Sequence, residues 1–476
     1  MTTKSKSTDY GSIHDEPPFT GLREVAKMAG PVVLASLSIT VMGVVDTMMV
    51  GHLGKTELAA VGSAGLWSFT FATFFIGLVG CVGTFVAQCV GKEDFQNCAR
   101  YTWQGIHLSI ATYVIAAVLL PFSATLFSMM PHEASVQQVE ADYFRVRMYG
   151  FGLMPLQAAL AAFFNAVNKP KVSMFASIAA NIINAFLDYA LIFGKFGFPE
   201  LREEGAAWAT NASLFTQCAF LMAVFLGQKL HTRYQTRDAW QFDLAKMREL
   251  IRIGWGGGAG FLLDLFTWSL FTSVIVGAVG ENALAAHNAA IQIMAISFMP
   301  AVGVNHAIAP IVGQWIGRGD IARAKARTYT AMRMTMVYMF IMGVLFATFG
   351  KFLIGAFNNH PEVVSTGATI LILAAIFQTF DAINIVIMGA LRGAGDTRWT
   401  AIMMTTFAFT VFLPVAWFLS RILGWGAMGA WIGATVYVIG LSFFFFLRWR
   451  GEKWRHIQIF DAQAAPVTIG IETQAK

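Results

Sequence analysis

Long hydrophobic runs alternate with short polar connections along this chain. Each run has 20 or more residues, which is long enough for an α-helix to cross the hydrocarbon core of a bilayer. About twelve runs follow one another, at 28–51, 58–90, 98–121, 135–165, 170–194, 205–227, 246–278, 283–316, 321–350, 362–391, 397–420 and 426–448. This pattern predicts an all-α polytopic membrane protein with about twelve transmembrane helices.

Composition narrows the class of protein. Of the 476 residues, 56% are hydrophobic and 13% are charged, whereas a soluble domain has roughly 25% charged residues. The net charge of +6 comes from basic residues between the runs and not from one patch, which argues against a nucleic-acid partner. The cysteines have no metal-ligand spacing and are predicted to be small core residues; they are Cys81, Cys89, Cys98 and Cys218.

The basic residues predict the orientation in the membrane. Most of those in connections lie in the even-numbered ones, as Lys169 and Arg323 do. By the positive-inside rule these connections are cytoplasmic, and with an even number of spans both termini are cytoplasmic too. We therefore expect a multi-pass protein of the cytoplasmic (inner or plasma) membrane, in contact with membrane lipids and acting as a monomer.

The second half of the chain repeats the first at a constant offset of 226 positions. Val50-Gly51 aligns with Val276-Gly277, and Gln88 aligns with Gln314. Each half holds six spans, so the copies run parallel and are related by an axis along the membrane normal. Two six-helix lobes related by an internal repeat are typical of an alternating-access carrier.

The repeat also predicts the domain organisation. The N-terminal lobe is expected at 27–227 and the C-terminal lobe at 244–449, joined by a cytoplasmic linker at 228–243. Residues 1–26 are rich in Ser, Thr, Lys and acidic residues and are predicted to be a disordered cytoplasmic tail without a cleavable signal peptide. A second cytoplasmic tail is expected at 450–476.

Polar residues inside the runs of the first half are the candidate site, because charge in hydrocarbon is costly. Asp46 lies near the outer end of span one, and Asp188, which shares a helix face with Asn184, near that of span five. At 1.5 Å per residue these acids and Thr210 lie roughly 8–9 Å below the outer surface. The set could bind H⁺ or Na⁺. The alternatives are that Asp46 caps a helix end and that Asn184 and Asp188 only join helices by hydrogen bonds.

Two acids of the second half are candidate functional residues for the same reason, that charge in hydrocarbon is costly. They are Asp264 in span seven and Asp381 in span ten. The offset of 226 aligns these acids with Ser38 and Pro155 of the first half, so they are not repeated. The two halves are therefore expected to have different functions. The alternative is a buried acid paired with a nearby amide. Pro31, inside span one, is a candidate bend, because proline removes a backbone hydrogen bond, or else marks a helix start.

Several segments resemble the multidrug and toxic compound extrusion (MATE) family, and the resemblance covers nearly all of 22–448. They are Val45-Asp46-Thr47-Met48-Met49-Val50-Gly51, Leu58-Ala59-Ala60, Asn184-Ala185-Phe186-Leu187-Asp188, Gly205-Ala206-Ala207-Trp208-Ala209-Thr210 and Ala390-Leu391-Arg392-Gly393-Ala394-Gly395-Asp396-Thr397.

The resemblance implies an antiporter that exports small organic, often cationic, compounds in exchange for H⁺ or Na⁺, with no other cofactor and no catalytic residue. It implies a coupling-ion site in the N-terminal lobe formed by Asp46, Asn184, Asp188 and Thr210. It also makes Asp381 an acid of the C-terminal lobe and Pro31 a bend point.

The sequence departs from the family pattern at two places. Asp264 stands near the position where norfloxacin-type members carry a glutamate, and 165–170 replaces an Arg-Gly-rich loop. Two other functions stay open: a lipid or precursor flippase on the same fold, and an intramembrane aspartyl protease using Asp396 of the Gly393-Ala394-Gly395-Asp396 motif.

Overall fold

The structure is a computed structural model that describes residues 16–17, 19–130, 132–357 and 359–460. Within these ranges the regular structure is entirely helical. The first half contains α1 Thr20–Gly51, α2 Lys55–Gly80, α3 Val82–Gly91, α4 Phe95–Leu119, α5 Ser123–Ser128, α6 Ala134–Tyr149, α7 Leu153–Ala166, α8 Pro170–Ile192, α9 Arg202–Phe225 and α10 Gln228–Tyr234.

In the described residues, the second half has fewer α-helices than the first, and several of them are longer. It contains α11 Leu244–Leu270, α12 Glu281–Gly317, α13 Ile321–Gly355, α14 Pro361–Ala394, α15 Thr397–Phe407, α16 Leu413–Trp417 and α17 Gly426–Arg450. Helix α11 continues into the π-helical turn Phe271–Val276, and α15 and α16 are joined by another, Ala408–Phe412.

The predicted fold class is confirmed. Eleven helical segments in the described part are long and apolar enough to cross a membrane, and the shorter apolar helix α7 adds to them. Together with α6 it makes the predicted fourth crossing, so the described chain has the expected twelve crossings. All four cysteines are buried and free, as expected of core residues.

The fourth crossing differs from its prediction, since the run 135–165 is two helices and not one. Helix α6 ends at Tyr149 and α7 begins at Leu153. A Cβ on Gly150 would lie 2.5 Å from Cγ of Asn211, and one on Gly152 would lie 2.6 Å from a ring carbon of Tyr113. Side chains of two neighbouring helices, α9 and α4, therefore pack directly against the backbone where α6 and α7 are interrupted, and only glycine leaves room for them.

The predicted boundaries of the tails also change. Helix α1 begins at Thr20, so the prediction of a disordered 1–26 is wrong for 20–26; residues 1–15 and Pro18 lie outside the described residues. The predicted linker 228–243 contains helix α10. Of the predicted tail 450–476, residues up to 460 are described and 461–476 are not.

The two lobes meet through two helix pairs that the repeat relates to each other. Helix α1 packs on α12, and α2 packs on α11. The offset of 226 carries α1 onto α11 and α2 onto α12, so each contact is the symmetry mate of the other. The α2–α11 pair is close enough that a Cβ on Gly77 would lie 2.6 Å from the carbonyl oxygen of Gly257.

One side of the molecule carries both ends of the helical body, and we call it the terminal face. There Glu16 accepts a 2.5 Å hydrogen bond from Nε of Arg323, at the start of α13. Glu452, just after α17, forms an ion pair with Lys325 on the same helix. The start of α1, the start of α13 and the end of α17 therefore lie together.

Glutamines of both lobes close the terminal face. Nε2 of Gln88 on α3 donates to the carbonyl oxygen of Gly393 over 3.1 Å. Nε2 of Gln314 on α12 donates to the carbonyl oxygen of Ala166 over 2.7 Å. The two glutamines are equivalent under the repeat, and each reaches the end of a helix in the opposite lobe. We call these two hydrogen bonds the glutamine latch.

A segment after α17 adds a third link, and we call residues 451–460 the C-terminal strap. Trp454 is buried and stacks on Trp449 with ring centroids 4.3 Å apart. Phe460 contacts Phe85 of the N-terminal lobe edge to face, at 5.8 Å. The strap therefore begins on the last helix of the C-terminal lobe and ends on the N-terminal lobe.

Candidate functional site

Asp46 lies on α1, five residues before the helix ends at Gly51. Its half-buried side chain lines a cavity of about 220 Å³. Thr210 on α9 lines the same cavity, and its Oγ1 donates to the carbonyl oxygen of Ala206 over 2.9 Å. Since that bond uses the only proton of the hydroxyl, the Thr210 oxygen is left as an acceptor for a cation or a proton donor.

Asp188 and Asn184 lie one turn apart on α8 and are both completely buried. The carboxyl of Asp188 lies within electrostatic range of that of Asp46. Among the described residues, neither oxygen of Asp188 and neither polar side-chain atom of Asn184 has a conventional hydrogen-bond partner. Buried polar atoms of this kind usually have one, so these atoms are suited to binding a proton donor or a cation.

A proton or a monovalent cation fits this set of atoms. Two facing carboxylates in a buried site repel each other unless a proton is shared between them or a cation lies between their oxygens. Carboxylate, amide and hydroxyl oxygens are also the hard ligands that suit Na⁺. The geometry therefore brings the four predicted residues, Asp46, Asn184, Asp188 and Thr210, to one place with chemistry suited to either ion.

Three further polar residues belong to this place and were not predicted from the sequence. Tyr143 on α6 is buried and lines the cavity. Arg147, one turn further on, is also buried, and its Nη1 donates to Oδ1 of Asn211 on α9 over 2.8 Å. The available signal was the spacing of Tyr143 and Arg147, four residues apart and so on one face of a helix.

The acids of the C-terminal lobe also come together. Asp264 on α11 and Asp381 on α14 lie within electrostatic range of each other and of Tyr437 on α17. Nδ2 of Asn384 approaches Oδ1 of Asp381 at 3.4 Å, which is a long hydrogen bond. This contact agrees with the alternative of an acid paired with a nearby amide. The proximity of Asp264 to Asp381 is equally consistent with a functional role for the two acids.

Asp396 and Pro31 have clear structural positions. Asp396 precedes α15, is buried, and accepts a 2.8 Å hydrogen bond from Nε of Arg448, so it is a neutralised helix-end acid. Pro31 lies inside α1, which is a continuous helix from Thr20 to Gly51.

One family model, MatE, matches the chain twice, at residues 31–190 and 262–418. The two matches fall one in each lobe, as an internal repeat requires. Together they cover more than half of the chain.

Curated relatives align over nearly the whole chain. The multidrug resistance protein NorM of Burkholderia vietnamiensis is 29% identical over 452 residues, covering 93% of this chain and 95% of the relative. The probable multidrug resistance protein NorM of Thermotoga maritima is 27% identical over 444 residues, covering 90% and 93%.

Solved structures share the fold. A eukaryotic MATE transporter superimposes with a TM-score of 0.80 at 20% identity, covering 91% of this chain and 96% of that one. A mutant of the Vibrio cholerae MATE transporter VcmN gives a TM-score of 0.82 at 18% identity, covering 91% and 98%.

Proposed function

We propose that this chain, which belongs to the MatE family, exports small organic compounds across a membrane in exchange for H⁺ or Na⁺. Members of this family are membrane transporters, so the chain is a transporter and not an enzyme. The intramembrane protease alternative is therefore wrong, in agreement with the engagement of Asp396 by Arg448.

The observation that carries the exchange mechanism is the proximity of the half-buried carboxyl of Asp46 to the buried carboxyl of Asp188. A cation bound there neutralises charge that the protein must otherwise keep away from hydrocarbon. Loading the site therefore changes the relative free energies of the two orientations of the lobes. A substrate that binds better to the unloaded state is released on loading, and by linkage each ligand lowers the affinity for the other.

Orientation supplies the direction of transport. The positive-inside rule makes the terminal face cytoplasmic. The glutamine latch and the C-terminal strap link the two lobes at that face, so we infer that the cation site opens to the opposite side. The cation then reaches Asp46 and Asp188 from the outside and favours release of the substrate there.

The substrates are proposed to be organic cations of varied structure. The curated relatives carry the name multidrug resistance protein, and a cavity lined by Asp46 favours positive over negative compounds. Methionines adapt their shape to different ligands, and the chain has 23 of them. We expect the protein to act as a monomer surrounded by lipid.

The experiment is transport by the purified protein in proteoliposomes loaded with ethidium, a fluorescent organic cation. A pH gradient and a Na⁺ gradient are imposed separately, and uphill ethidium movement is measured. Movement driven by either gradient supports the antiporter and identifies the ion. Transport of a labelled lipid that ignores both gradients would instead favour the flippase alternative.

A further inference from the structure

Arg147 is a buried positive charge whose direct partner is neutral. Its side chain is 7% exposed, and its Nη1 donates to Oδ1 of Asn211. Asn211 is itself held by a 2.6 Å hydrogen bond from its Nδ2 to the carbonyl oxygen of Val146. This arrangement fixes the guanidinium in place, but an amide does not balance its charge. A buried charge is tolerated when an opposite charge lies nearby.

The nearest candidates for that opposite charge are the site acids. Asp46 lies within electrostatic range of Arg147. Tyr143 lies within electrostatic range of Arg147, Asp46 and Asp188, and it therefore connects the guanidinium to the acid pair. Arg147 does not line the cavity itself. Its charge therefore acts on Asp46, and through Asp46 on Asp188, while its side chain stays out of the space where a cation would bind.

Glu140, the buried acid of α6, is already engaged. Its carboxylate contacts Nδ1 of His132 at 3.0 Å. It also lies seven residues from Arg147, which is about 10 Å along a helix. Arg147 is thus matched to Asp46, and through it to Asp188, and not to Glu140.

The charges of this cluster can be counted. Two carboxylates and one guanidinium leave a single negative charge. One monovalent cation then makes the cluster neutral, and neutrality is the condition that a buried, low-dielectric site favours. Without the guanidinium, the same condition requires two cations.

We propose that Arg147 is the fixed internal counter-cation of Asp46 and Asp188, and that its charge limits the site to binding one monovalent cation. This inference rests on the proposed function and deepens it. Arg147 is a positioning residue in this role, because it acts through the acids and does not touch the transported ion.

Three variants separate charge from packing. Arg147→Gln removes the charge and keeps a side chain able to donate to Asn211, whereas Arg147→Lys keeps the charge. Asn211→Asp leaves Arg147 in place and adds a carboxylate at the atom it already contacts, so the guanidinium is neutralised locally. This last variant loses the bond to Val146, and it provides a test even where Arg147→Gln fails to fold.

The measurement is the number of cations taken up by the purified full-length protein, with no substrate present. Radioactive Na⁺ binding and proton uptake are each measured as the difference from the same protein carrying Asp46→Asn and Asp188→Asn. We expect one cation for the wild type and for Arg147→Lys, and two for Arg147→Gln and Asn211→Asp. A role in packing alone would lower stability without changing this number.

The outcomes distinguish this inference from the proposed function. Uptake of one cation by monodisperse Arg147→Gln or Asn211→Asp, or of two by the wild type, overturns the counter-cation role and leaves the antiporter intact. Absence of any uptake that depends on the acid pair in the wild type overturns both. The ratio of cations to ethidium exchanged in proteoliposomes should double in the two charge-neutralising variants.

Discussion

The carboxyls of Asp46 and Asp188 have fewer donors around them than their oxygens can accept. Removing one charge from such a pair is different from removing a charge at the surface. The amide of an asparagine at position 46 would donate to Asp188 and occupy the space of the cation. The remaining carboxylate would then be satisfied permanently, and loading would no longer change its state.

Asp46→Asn is therefore expected to abolish ion-driven export while the protein still folds. The coupling free energy between ion and substrate, typically about 1–3 kcal/mol, is lost. Ethidium export from proteoliposomes under each ion gradient measures the loss, and size-exclusion chromatography checks the fold.

Asp142→Asn is the matched control, because this acid is paired with Arg145 on the exposed side of α6. It makes the same chemical change without touching the cavity and should export at the wild-type rate. Wild-type export by Asp46→Asn would contradict the assignment of the site.

The sequence could predict Asp46, Asn184, Asp188 and Thr210 because each is polar inside an apolar run. It could not predict the role of Arg147 in the same way. That residue lies in a segment with other charges, including Asp142 and Arg145, and charge in such a segment looks like a connection. Its burial depends on α9, which is distant in sequence, and a local pattern carries no information on that packing.

At the scale of helices, the glutamine latch predicts how the terminal face opens. Each of its hydrogen bonds contributes about 0.5–1.5 kcal/mol. The double variant Gln88→Ala with Gln314→Ala should therefore increase the population open at the terminal face. Spin labels at Lys169→Cys in one lobe and Arg450→Cys in the other would report a longer distance in more molecules.

Either single variant should produce a smaller shift than the double variant, and Gln314→Ala the larger of the two, because Gln314 also exchanges hydrogen bonds with Asn168. Gln137→Ala, which removes a glutamine that donates to the carbonyl oxygens of Met130 and His132 just before its own helix, is the control. An unchanged distance distribution in the double variant would show that the latch does not hold the face closed.

The start of α1 is tied to α13 by a contact that depends on pH. Burial alone would raise the pKa of Glu16, but the hydrogen bonds and charges of Arg323 and Arg327 outweigh it and hold the pKa below its usual range. A lowered folded-state pKa means that the contact stabilises fully above the ordinary glutamate pKa of about 4.3. The stabilisation is lost as the pH falls through the folded-state value.

A spin label at Leu22→Cys should accordingly stay immobile at neutral pH and become mobile only in acid, below the ordinary pKa of glutamate. Adding Glu16→Gln should make the label more mobile at neutral pH and remove the acid transition. A transition that persists with Glu16→Gln would assign it to another group.

Helices were more predictable than their ends and breaks. Hydrophobic length locates a crossing, because an apolar helix of about 20 residues matches the bilayer. The break at 150–152 is set by Asn211 and Tyr113, which press on glycines from other helices. The helical start of α1 at Thr20 rests on ion pairs with α13. Contacts between distant segments decide both features, so the hydrophobic pattern does not contain them.

For the whole molecule, the C-terminal strap makes the last described residues part of the closed state. Phe460 contacts Phe85, and the centre of its ring lies 4.0 Å from Nζ of Lys92. Both of these partners belong to the N-terminal lobe. Phe460→Ala should loosen this link and increase opening at the terminal face, as measured by the same pair of spin labels. Phe443→Ala, at an exposed position on α17, is the control. Equal distances in the two variants would contradict a role for the strap.

The broken fourth crossing has a consequence for biogenesis. Its first half, α6, carries Glu140, Asp142, Arg145 and Arg147, and a helix so charged partitions poorly from the translocon into lipid. Asn211 is synthesised later, so the guanidinium of Arg147 lacks the hydrogen bond that holds it in place when α6 first emerges. Integration of this segment should therefore wait for α9, and the N-terminal half must be assembled in the membrane as a unit and not helix by helix.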